Sequence, residues 1–234
     1  SLTERDQRLY GLGSTDMKGF CPLALAAASQ YLDTPLQQPL IILATADEES
    51  SMNGARALAA AGRPKARAAI IGEPTSLRPV RMHKGIMMQA VRITGQAGHS
   101  SNPALGNSAL EAMHTVMGEL LTFRQDLATR YSNPLFDIAY PTLNLGCIHG
   151  GDSPNRICGR TELHFDLRMT PNGDNEEARA EVAKRLQAIA QQHSIDISLD
   201  SLAKPIPPFD QSADSELVTL AASLTGHTAP AVAW

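Results

Sequence analysis

Short apolar runs that each end in a carboxylate dominate the first third of the chain. Residues 40–46 are apolar apart from one threonine and are followed at once by three acids, residues 47–49. Residues 68–72 are apolar as well and end at Glu73. Continuous apolar runs of this length are typical of buried parallel strands. Because reacting groups gather where parallel strands end, the pattern predicts an α/β part with acids at one edge of its sheet.

A further acid, Asp16, lies in a glycine-rich segment, residues 11–19, directly before a helical pattern over residues 20–32. Taken alone, Asp16 would be interpreted as a helix N-cap and the acids at 47–49 as a solvated turn. Taken with Glu73, these acids belong to one α/β part, and neighbouring carboxylates repel one another unless a cation lies among them. The pattern therefore begins to favour a metal-binding cluster.

From residue 85 onward the pattern changes to alternating strands and two long amphipathic helices. Residues 157–169 alternate between apolar and polar side chains, which is typical of an antiparallel strand with one covered face. The predicted elements are, in order, strand 86–94, a helix capped by Asn107, strand 142–149, strand 157–169, a helix capped by Asp174 and strand 195–199. The order strand, helix, strand, strand, helix, strand predicts a ferredoxin-like α+β domain.

A proline-rich segment, residues 204–208, predicts a stiff connector that leads back to the first part of the chain. We therefore predict an α/β fold in two parts. An incomplete three-layer α/β domain takes residues 1–84 and 204–234. The ferredoxin-like α+β domain is inserted into it and takes residues 85–203.

Composition and charge limit the kinds of molecule that the protein is expected to bind. The chain has 234 residues, a net charge of −4 and a pI near 6.0. Without a basic block, nucleic acid and anionic membrane are not expected as main partners. The apolar runs are too short to span a bilayer, and the cysteines at 21, 147 and 158 show no Cys-x-x-Cys spacing. We therefore expect a cytoplasmic location with reduced thiols.

Five segments, in the expected order, resemble motifs of the di-zinc aminoacylase and carboxypeptidase family of metallohydrolases. These segments are residues 11–19, 45–49, 72–75, 98–101 and 150–157. Residues 83–85, 141–146, 148–151 and 155–158 resemble most the family members that act on N-acetylornithine. The resemblance implies a catalytic α/β domain with an inserted lid and dimerisation domain. It also implies an amide hydrolase that removes acetate from N-acetyl-L-ornithine and so supplies L-ornithine for arginine biosynthesis.

The resemblance implies roles for four of the acids and a pair of divalent metal ions, zinc or cobalt. Asp16 would bridge both ions, Glu49 would bind one and Glu73 the other. Glu48 would be the general base, which takes a proton from water and passes it to the leaving amine. Asp47 receives no catalytic role and is expected either to support the metal ligands from behind or to belong to the turn. The peptide bond between Asp16 and Met17 is expected to be cis.

The resemblance also implies roles for three residues of the inserted domain. His99 would reach the partner subunit's site and stabilise the tetrahedral oxyanion. Asn155 and Arg168 would bind the substrate, an N-acyl amino acid, with Arg168 on its α-carboxylate. A homodimer through residues 85–203 follows from the same resemblance. Taken alone, these residues would be a loop histidine, a turn residue and a solvated charge.

The sequence departs from the family pattern because two histidine ligands are missing, one expected before Asp16 and one near the end of the chain. Three carboxylates alone should hold zinc poorly, since imidazole supplies much of its affinity. We therefore expect a fragment of an active enzyme, with an incomplete sheet that leaves apolar surface exposed. Alternatives are a related deacylase, such as a succinyl-diaminopimelate desuccinylase or an aminoacylase, and a non-catalytic dimerising fragment.

Overall fold

The computed structural model describes residues 2–49 and 51–227, and these divide into two compact units. The first unit contains the described residues up to Pro79 together with residues 220–227. The second unit contains residues 80–219. The end of the predicted 204–234 part, residues 228–234, lies outside the described residues. The predicted boundaries at residues 85 and 203 stay a prediction.

The first unit begins with a small antiparallel hairpin and contains two helices. Strands β1 (Thr3–Arg5) and β2 (Arg8–Tyr10) pair with each other. The helices are α1 (Phe20–Ser29) and α2 (Asn53–Ala61). The described part of neither helix buries a residue. Helix α2 ends at Gly62, because glycine adopts the positive φ of +63° that closes the helix.

The two predicted buried strands of the first unit are not formed, and that part of the prediction is wrong. Residues 40–46 and 68–72 take part in no strand pairing among the described residues. Ile41 is 47% exposed and Ile70 is 74% exposed. An apolar run becomes a buried strand only where neighbouring strands and a covering layer are present. The expected exposure of apolar surface is confirmed.

The second unit contains the larger sheet and its two long helices. Its strands are β3 (Met82–His83), β4 (Met87–Thr94), β5 (Gly98–His99), β6 (Thr142–Gly150), β7 (Arg156–Ile157), β8 (Arg160–Arg168), β9 (Asp196–Ser201) and β10 (Phe209–Asp210). Its helices are α3 (Ala109–Arg130) and α4 (Asn175–His193), with a 3₁₀ turn at Pro103–Leu105. Helix α5 (Glu216–Thr225) begins in the second unit and continues into the first. Among the described residues, no helix is both long and apolar enough to cross a bilayer.

The main sheet has the order β6-β8-β4-β9 and is antiparallel throughout. This is the order of a ferredoxin-like fold, so the predicted arrangement is confirmed. The alternation of apolar and polar residues along β8 determines which side chains enter the core, because successive side chains point to opposite faces. Val91 and Leu163 pair across β4 and β8, and both are buried beneath Phe123 and the other core residues of α3.

The two predicted helix caps have different outcomes. Asp174 caps α4, and its Oδ1 accepts hydrogen bonds from the backbone of Glu176 and Glu177 at 2.7 and 2.9 Å. The predicted cap at Asn107 is wrong by one residue, because Ser108 accepts the hydrogen bond from the first turn of α3. The Asn107 side chain instead donates to the carbonyl groups of His193 and Ser194, both at 2.9 Å, and so ties the start of α3 to the end of α4.

Candidate functional site

Asp16 lies in a tight loop that precedes α1. The backbone N–H of Lys18 donates to the carbonyl oxygen of Gly13 at 2.8 Å, and Gly13 has a φ of +74° that glycine adopts without strain. A side chain at Gly19 would meet the carbonyl oxygen of Ser14 at 2.8 Å, which explains the second glycine. The expected cis peptide bond between Asp16 and Met17 is present.

The three acids that follow residues 40–46 lie in a turn that leads into α2. Asp47 has a φ of +66°, and its carbonyl oxygen accepts hydrogen bonds from Ser51 and Met52 at 3.3 and 2.7 Å. Its carboxylate accepts a hydrogen bond from the Ser51 hydroxyl. The assignment of Asp47 to the turn is therefore confirmed. Its neighbours Glu48 and Glu49 are exposed.

Glu73 connects the two acidic segments. Burial raises the pKa of its carboxyl group, and the negative charges of Asp16, Glu48 and Glu49 raise that pKa further. A hydrogen bond with the Asp16 side chain acts in the same direction. A Cβ at Gly72 would lie 2.1 Å from the Phe20 ring, so only glycine permits this close approach to α1. The structure thus brings together the four acids that the sequence singled out.

The convergence of these acids does not amount to a formed metal site. Within residues 2–49 and 51–227, no group of three or more His, Cys, Asp or Glu side chains is arranged to hold a metal ion. Charge repulsion acts over several ångströms, whereas zinc ligands lie about 2 Å from the ion, so both observations hold at once. The four converging side chains also offer only oxygen donors, without imidazole. On their own, these residues do not fit a zinc or cobalt pair.

His99 and Asn155 lie side by side in the second unit. Strand β5 pairs with β7, which places His99 opposite Arg156. The backbone N–H of Ser100 donates to the carbonyl oxygen of Asn155 at 3.0 Å. Both side chains are exposed and engage neighbouring residues of their own loops. His99 Nδ1 lies 2.7 Å from the Ser101 Oγ and accepts from the Ser101 backbone N–H at 3.2 Å, and Asn155 Oδ1 accepts from the Ser153 hydroxyl at 2.6 Å.

Arg168 lies at the opposite end of the sheet from these two residues. It is the last residue of β8, whereas β7 and β5 lie beside the start of that strand. Arg160 and Arg168 are therefore separated by roughly 27 Å at about 3.4 Å per strand residue. Arg168 Nε donates to Asp166 Oδ2 at 2.8 Å. One copy of the second unit does not bring Arg168 together with His99 and Asn155.

Lys84 is a buried cation whose contacts the sequence did not reveal. Its Nζ donates to the carbonyl oxygens of Ile138 and Tyr140, both at 2.8 Å, and lies 5.5 Å from the centre of the Phe136 ring. Burial lowers the pKa of this lysine. The motif at residues 83–85 was a signal for its importance, but the role in holding the loop after α3 could be seen only in the structure.

A polar cluster on the open face of the sheet was also missed. Cys147 Sγ lies 3.1 Å from His149 Nε2, and His164 Nε2 lies 2.6 Å from Glu162 Oε1. Hydrogen bonds from His164 and then from Arg92 lower the pKa of Glu162 to about 2. A cavity of about 460 Å³ adjoins this cluster. It is lined by Ala97, residues 149–152, Arg156 and residues 158–162.

Comparison with known protein families gives a match within the second unit. A family model described as peptidase dimerisation domain matches residues 81–194. Residues 81–194 are therefore similar to this family of domains. His99, Asn155 and Arg168 all lie within the matched residues.

Relatives of known name extend the similarity over both units. The chain is 47% identical over 232 residues to acetylornithine deacetylase of Edwardsiella ictaluri, covering 99% of this chain and 61% of that protein. It is 47% identical over 227 residues to acetylornithine deacetylase of Aliivibrio fischeri, covering 97% of this chain and 60% of that protein. These relatives confirm the resemblance inferred from the motifs. The chain spans about three fifths of the length of the relatives it matches.

Solved structures with a similar fold cover both units of the chain. Aminopeptidase PepT of Bacillus cereus matches all of this chain and 61% of its own, with a TM-score of 0.69 at 18% identity. A tripeptidase of Staphylococcus aureus matches all of this chain and 62% of its own, with a TM-score of 0.64 at 19% identity. The predicted class, an incomplete α/β fold with an inserted α+β domain, is confirmed.

Proposed function

We propose that this protein is an amide hydrolase that removes acetate from N-acetyl-L-ornithine and yields L-ornithine for arginine biosynthesis. The observation that supports the proposed chemistry is the convergence of Asp16, Glu48, Glu49 and Glu73 in the first unit. The identity of 46–47% with relatives named acetylornithine deacetylase supports the choice of substrate. A cytoplasmic location fits this function and stays a prediction.

In the proposed reaction Glu48 is the proton carrier. Its carboxylate takes a proton from the water that attacks the amide carbon and then delivers this proton to the departing amine nitrogen. Glu48 suits this task because it is exposed beside Glu49 and Glu73. Asp47 is excluded from the role because its carboxylate is occupied by Ser51 in the turn.

We assign Asp16, Glu49 and Glu73 as oxygen donors to two divalent ions, zinc or cobalt. When bound, such ions lower the pKa of water and polarise an amide oxygen. The three acids lack an imidazole partner among the described residues, so they are expected to bind zinc weakly by themselves. Metal dependence is therefore a property proposed for the whole protein.

The substrate-binding residues are proposed to come from two subunits. His99 and Asn155 lie at one end of the dimerisation domain and Arg168 lies at the other. A substrate of the size of an acylated amino acid does not bridge roughly 27 Å. We assign Arg168 to the substrate α-carboxylate in one subunit, and His99 and Asn155 to the substrate from the partner subunit. His99 would stabilise the oxyanion that forms on the amide.

The dimerisation domain offers a surface for such a homodimer. Strand β6 forms one edge of the main sheet and pairs only with β8 among the described strands. Ile148, on this edge strand, is 47% exposed. An unpaired edge is a template for pairing with another chain. We therefore place the homodimer contact in the domain that the sequence assigned to residues 85–203.

The substrate is tested by steady-state rates of the full-length, metal-loaded protein on a panel of N-acyl amino acids. The panel contains N-acetylornithine, N-succinyl-diaminopimelate and an N-acetylated neutral amino acid. We expect N-acetylornithine to give the highest kcat/KM. A clear preference for the succinylated compound or for the neutral amino acid would replace the proposed substrate by one of the related deacylase substrates.

The general-base assignment is tested by Glu48→Gln, with Glu4→Gln as the matched control. Glu4 is exposed in β1 and lies outside the acidic cluster. We expect Glu48→Gln to lower kcat by at least about 100-fold, because general-base catalysis typically contributes 10²–10⁴. Glu4→Gln is expected to keep the kcat of the unmodified protein. Unchanged turnover in Glu48→Gln would show that the assignment is wrong.

A second candidate function is that of a non-catalytic dimerising module. Two observations favour it, namely the dimerisation domain at residues 81–194 and the lack of a formed metal-binding group among the described residues. Metal analysis and activity of the full-length protein distinguish the two. A dimer that binds no divalent metal and hydrolyses no member of the panel would support the module.

A further inference from the structure

A β-bulge in strand β6 changes which of its side chains face the open side of the sheet. Leu145 pairs with Phe165, but the next paired residue is Cys147, opposite His164, so Gly146 is the extra residue. Without the bulge, Cys147 would follow the alternation of Leu143 and Leu145 and point into the core. Because of the bulge, Cys147 and His149 lie on the open face beside polar residues of β8.

Four groups that can carry protons or act as nucleophiles meet on this patch, which we call the thiol patch. It consists of Cys147, His149, Glu162 and His164. The register places Cys147 opposite His164 and His149 opposite Glu162. His164 Nε2 lies 2.6 Å from Glu162 Oε1 and is therefore occupied. His149 Nε2 lies 3.1 Å from Cys147 Sγ, so His149 is the imidazole that can accept the thiol proton.

The other two cysteines lack this arrangement. Cys158 is 5% exposed, and its thiol donates to the carbonyl oxygen of Arg160 at 3.2 Å. Cys21 is exposed on α1, and no imidazole contact of its thiol is seen among the described residues. Cys147 is partly exposed and is the cysteine with an imidazole in hydrogen-bonding contact. A neighbouring base favours the thiolate, which is the reactive form of cysteine.

The cavity beside the thiol patch supplies a place for an anionic reactant. His149 and Glu162 belong both to the thiol patch and to the cavity wall. Arg156 in this wall is paired with Asp152. Arg160, also in the wall, forms no ion pair with any residue in the described ranges. Arg160 can therefore receive a carboxylate on a reactant that approaches Cys147 past His149.

We propose that Cys147 is a modification site that undergoes thiol–disulfide exchange with a small, carboxylate-bearing disulfide. His149 Nε2 accepts the thiol proton, and the Cys147 thiolate attacks one sulfur of the disulfide. The new S–S bond forms as the old one breaks, and the departing thiolate takes the proton back from His149. The products are a mixed disulfide at Cys147 and one small thiol, so no further oxidant is needed. This inference does not depend on the proposed deacetylase function.

The experiment treats the reduced, purified protein with glutathione disulfide and measures the mixed disulfide at each cysteine by peptide mass spectrometry. Cys21 serves as an exposed reference thiol in the same molecule. We expect Cys147 to react faster than Cys21 by on the order of tenfold, because His149 Nε2 lies within reach of the Cys147 thiol proton. An equal or slower rate at Cys147 would overturn the proposal.

Two variants and one matched control test the mechanism. His149→Gln should lower the rate at Cys147 by on the order of tenfold and leave the rate at Cys21 unchanged. His114→Gln, a substitution of an exposed histidine on α3, should change neither rate. Because the Cys21 rate is measured in the same sample, a general loss of structure is distinguished from a local effect. An unchanged Cys147 rate in His149→Gln would overturn the role of the imidazole.

The charge of the reactant is tested by comparing glutathione disulfide with cystamine, a disulfide that carries amines and no carboxylates. Arg160→Gln should lower the Cys147 rate with glutathione disulfide by about threefold, the size expected for an exposed ion pair. The same variant should not lower the rate with cystamine. An equal loss with both reactants, or no loss with either, would overturn the assignment of Arg160 as the carboxylate contact.

Discussion

The two units use apolar residues in opposite ways. Every hydrophobic residue buried among the described residues lies between Met82 and Val218, within the second unit. The first unit leaves large apolar side chains such as Leu12, Ile70 and Ile71 more than 70% exposed. The main sheet of the second unit has four paired strands and two covering helices, whereas the apolar runs of the first unit find no strand partner among the described residues. Apolar content alone therefore does not make a core, because each strand needs a neighbour and a covering layer.

The largest expected difference between the units is the cost of removing a large side chain. Phe123→Ala, in the core of the second unit, should lower the free energy of unfolding by about 3–5 kcal/mol. Leu25→Ala, on a 60% exposed side chain of α1, should change it by less than about 0.5 kcal/mol. Urea unfolding followed by circular dichroism measures both. A similar loss of unfolding free energy in the two variants would contradict the difference in packing between the two units.

Loss of a cluster of ion pairs between α3 and α4, which we call the charged clasp, should lower the free energy of unfolding by an intermediate amount. Arg185 donates to Glu119, Asp126 and Glu181 at 2.6–2.8 Å. Burial lowers the pKa of Arg185, but the hydrogen bonds with the three carboxylates outweigh burial and raise it. Arg185→Gln should cost about 1–2 kcal/mol of unfolding free energy, since the side chain is only partly exposed.

Arg124→Gln is the matched control for the clasp. Arg124 is exposed on α3, the helix that carries Glu119 and Asp126, and it forms no ion pair with a described residue. We expect its substitution to change the unfolding free energy by less than about 0.5 kcal/mol. If both arginine variants unfold at the same urea concentration, the clasp contributes nothing to the second unit.

Lys84 should have the smallest effect on the free energy of unfolding, and this effect should depend on pH. Burial lowers its pKa below the ordinary value of 10.5, so the folded protein binds fewer protons than the unfolded chain between the folded pKa and 10.5. Stability should therefore rise with pH across this window. Neutral Lys84 still has two N–H groups for the carbonyl oxygens of Ile138 and Tyr140.

The measurement compares urea unfolding of the unmodified protein and of Lys84→Met at several alkaline pH values. The stability advantage of the unmodified protein should increase as the pH approaches 10.5. An advantage that shrinks over the same range would mean that the charged form is the better fit to this site. Methionine fills the same space without a titrating group and so isolates the effect of the proton.

The fold of the second unit could be predicted from the sequence, because its strands and helices are marked by patterns of neighbouring residues. Alternation along residues 157–169 and the order of its elements were enough for the ferredoxin-like arrangement. The bulge at Gly146 was not predictable in this way, since strict alternation places Cys147 in the core. The thiol patch therefore required the observed register.

The candidate site was predictable in part. Motif resemblance selected Asp16, Glu48, Glu49 and Glu73, and the structure brings them together. The burial expected for residues 40–46 and 68–72 did not occur, because these runs pair with no strand among the described residues. The separation of Arg168 from His99 also escaped the sequence, since it depends on which strand ends are neighbours.

We propose that each active site combines the acids of one subunit with His99 of its partner, and mixing of two inactive variants measures this. His99→Ala and Glu48→Gln are each expected to be inactive in the full-length protein. A mixed dimer should regain one intact site, with Glu48 from one subunit and His99 from the other. Random mixing should restore about a quarter of the unmodified activity, because half of the dimers are mixed and each has one intact site. A mixture no more active than its parents would contradict the claim.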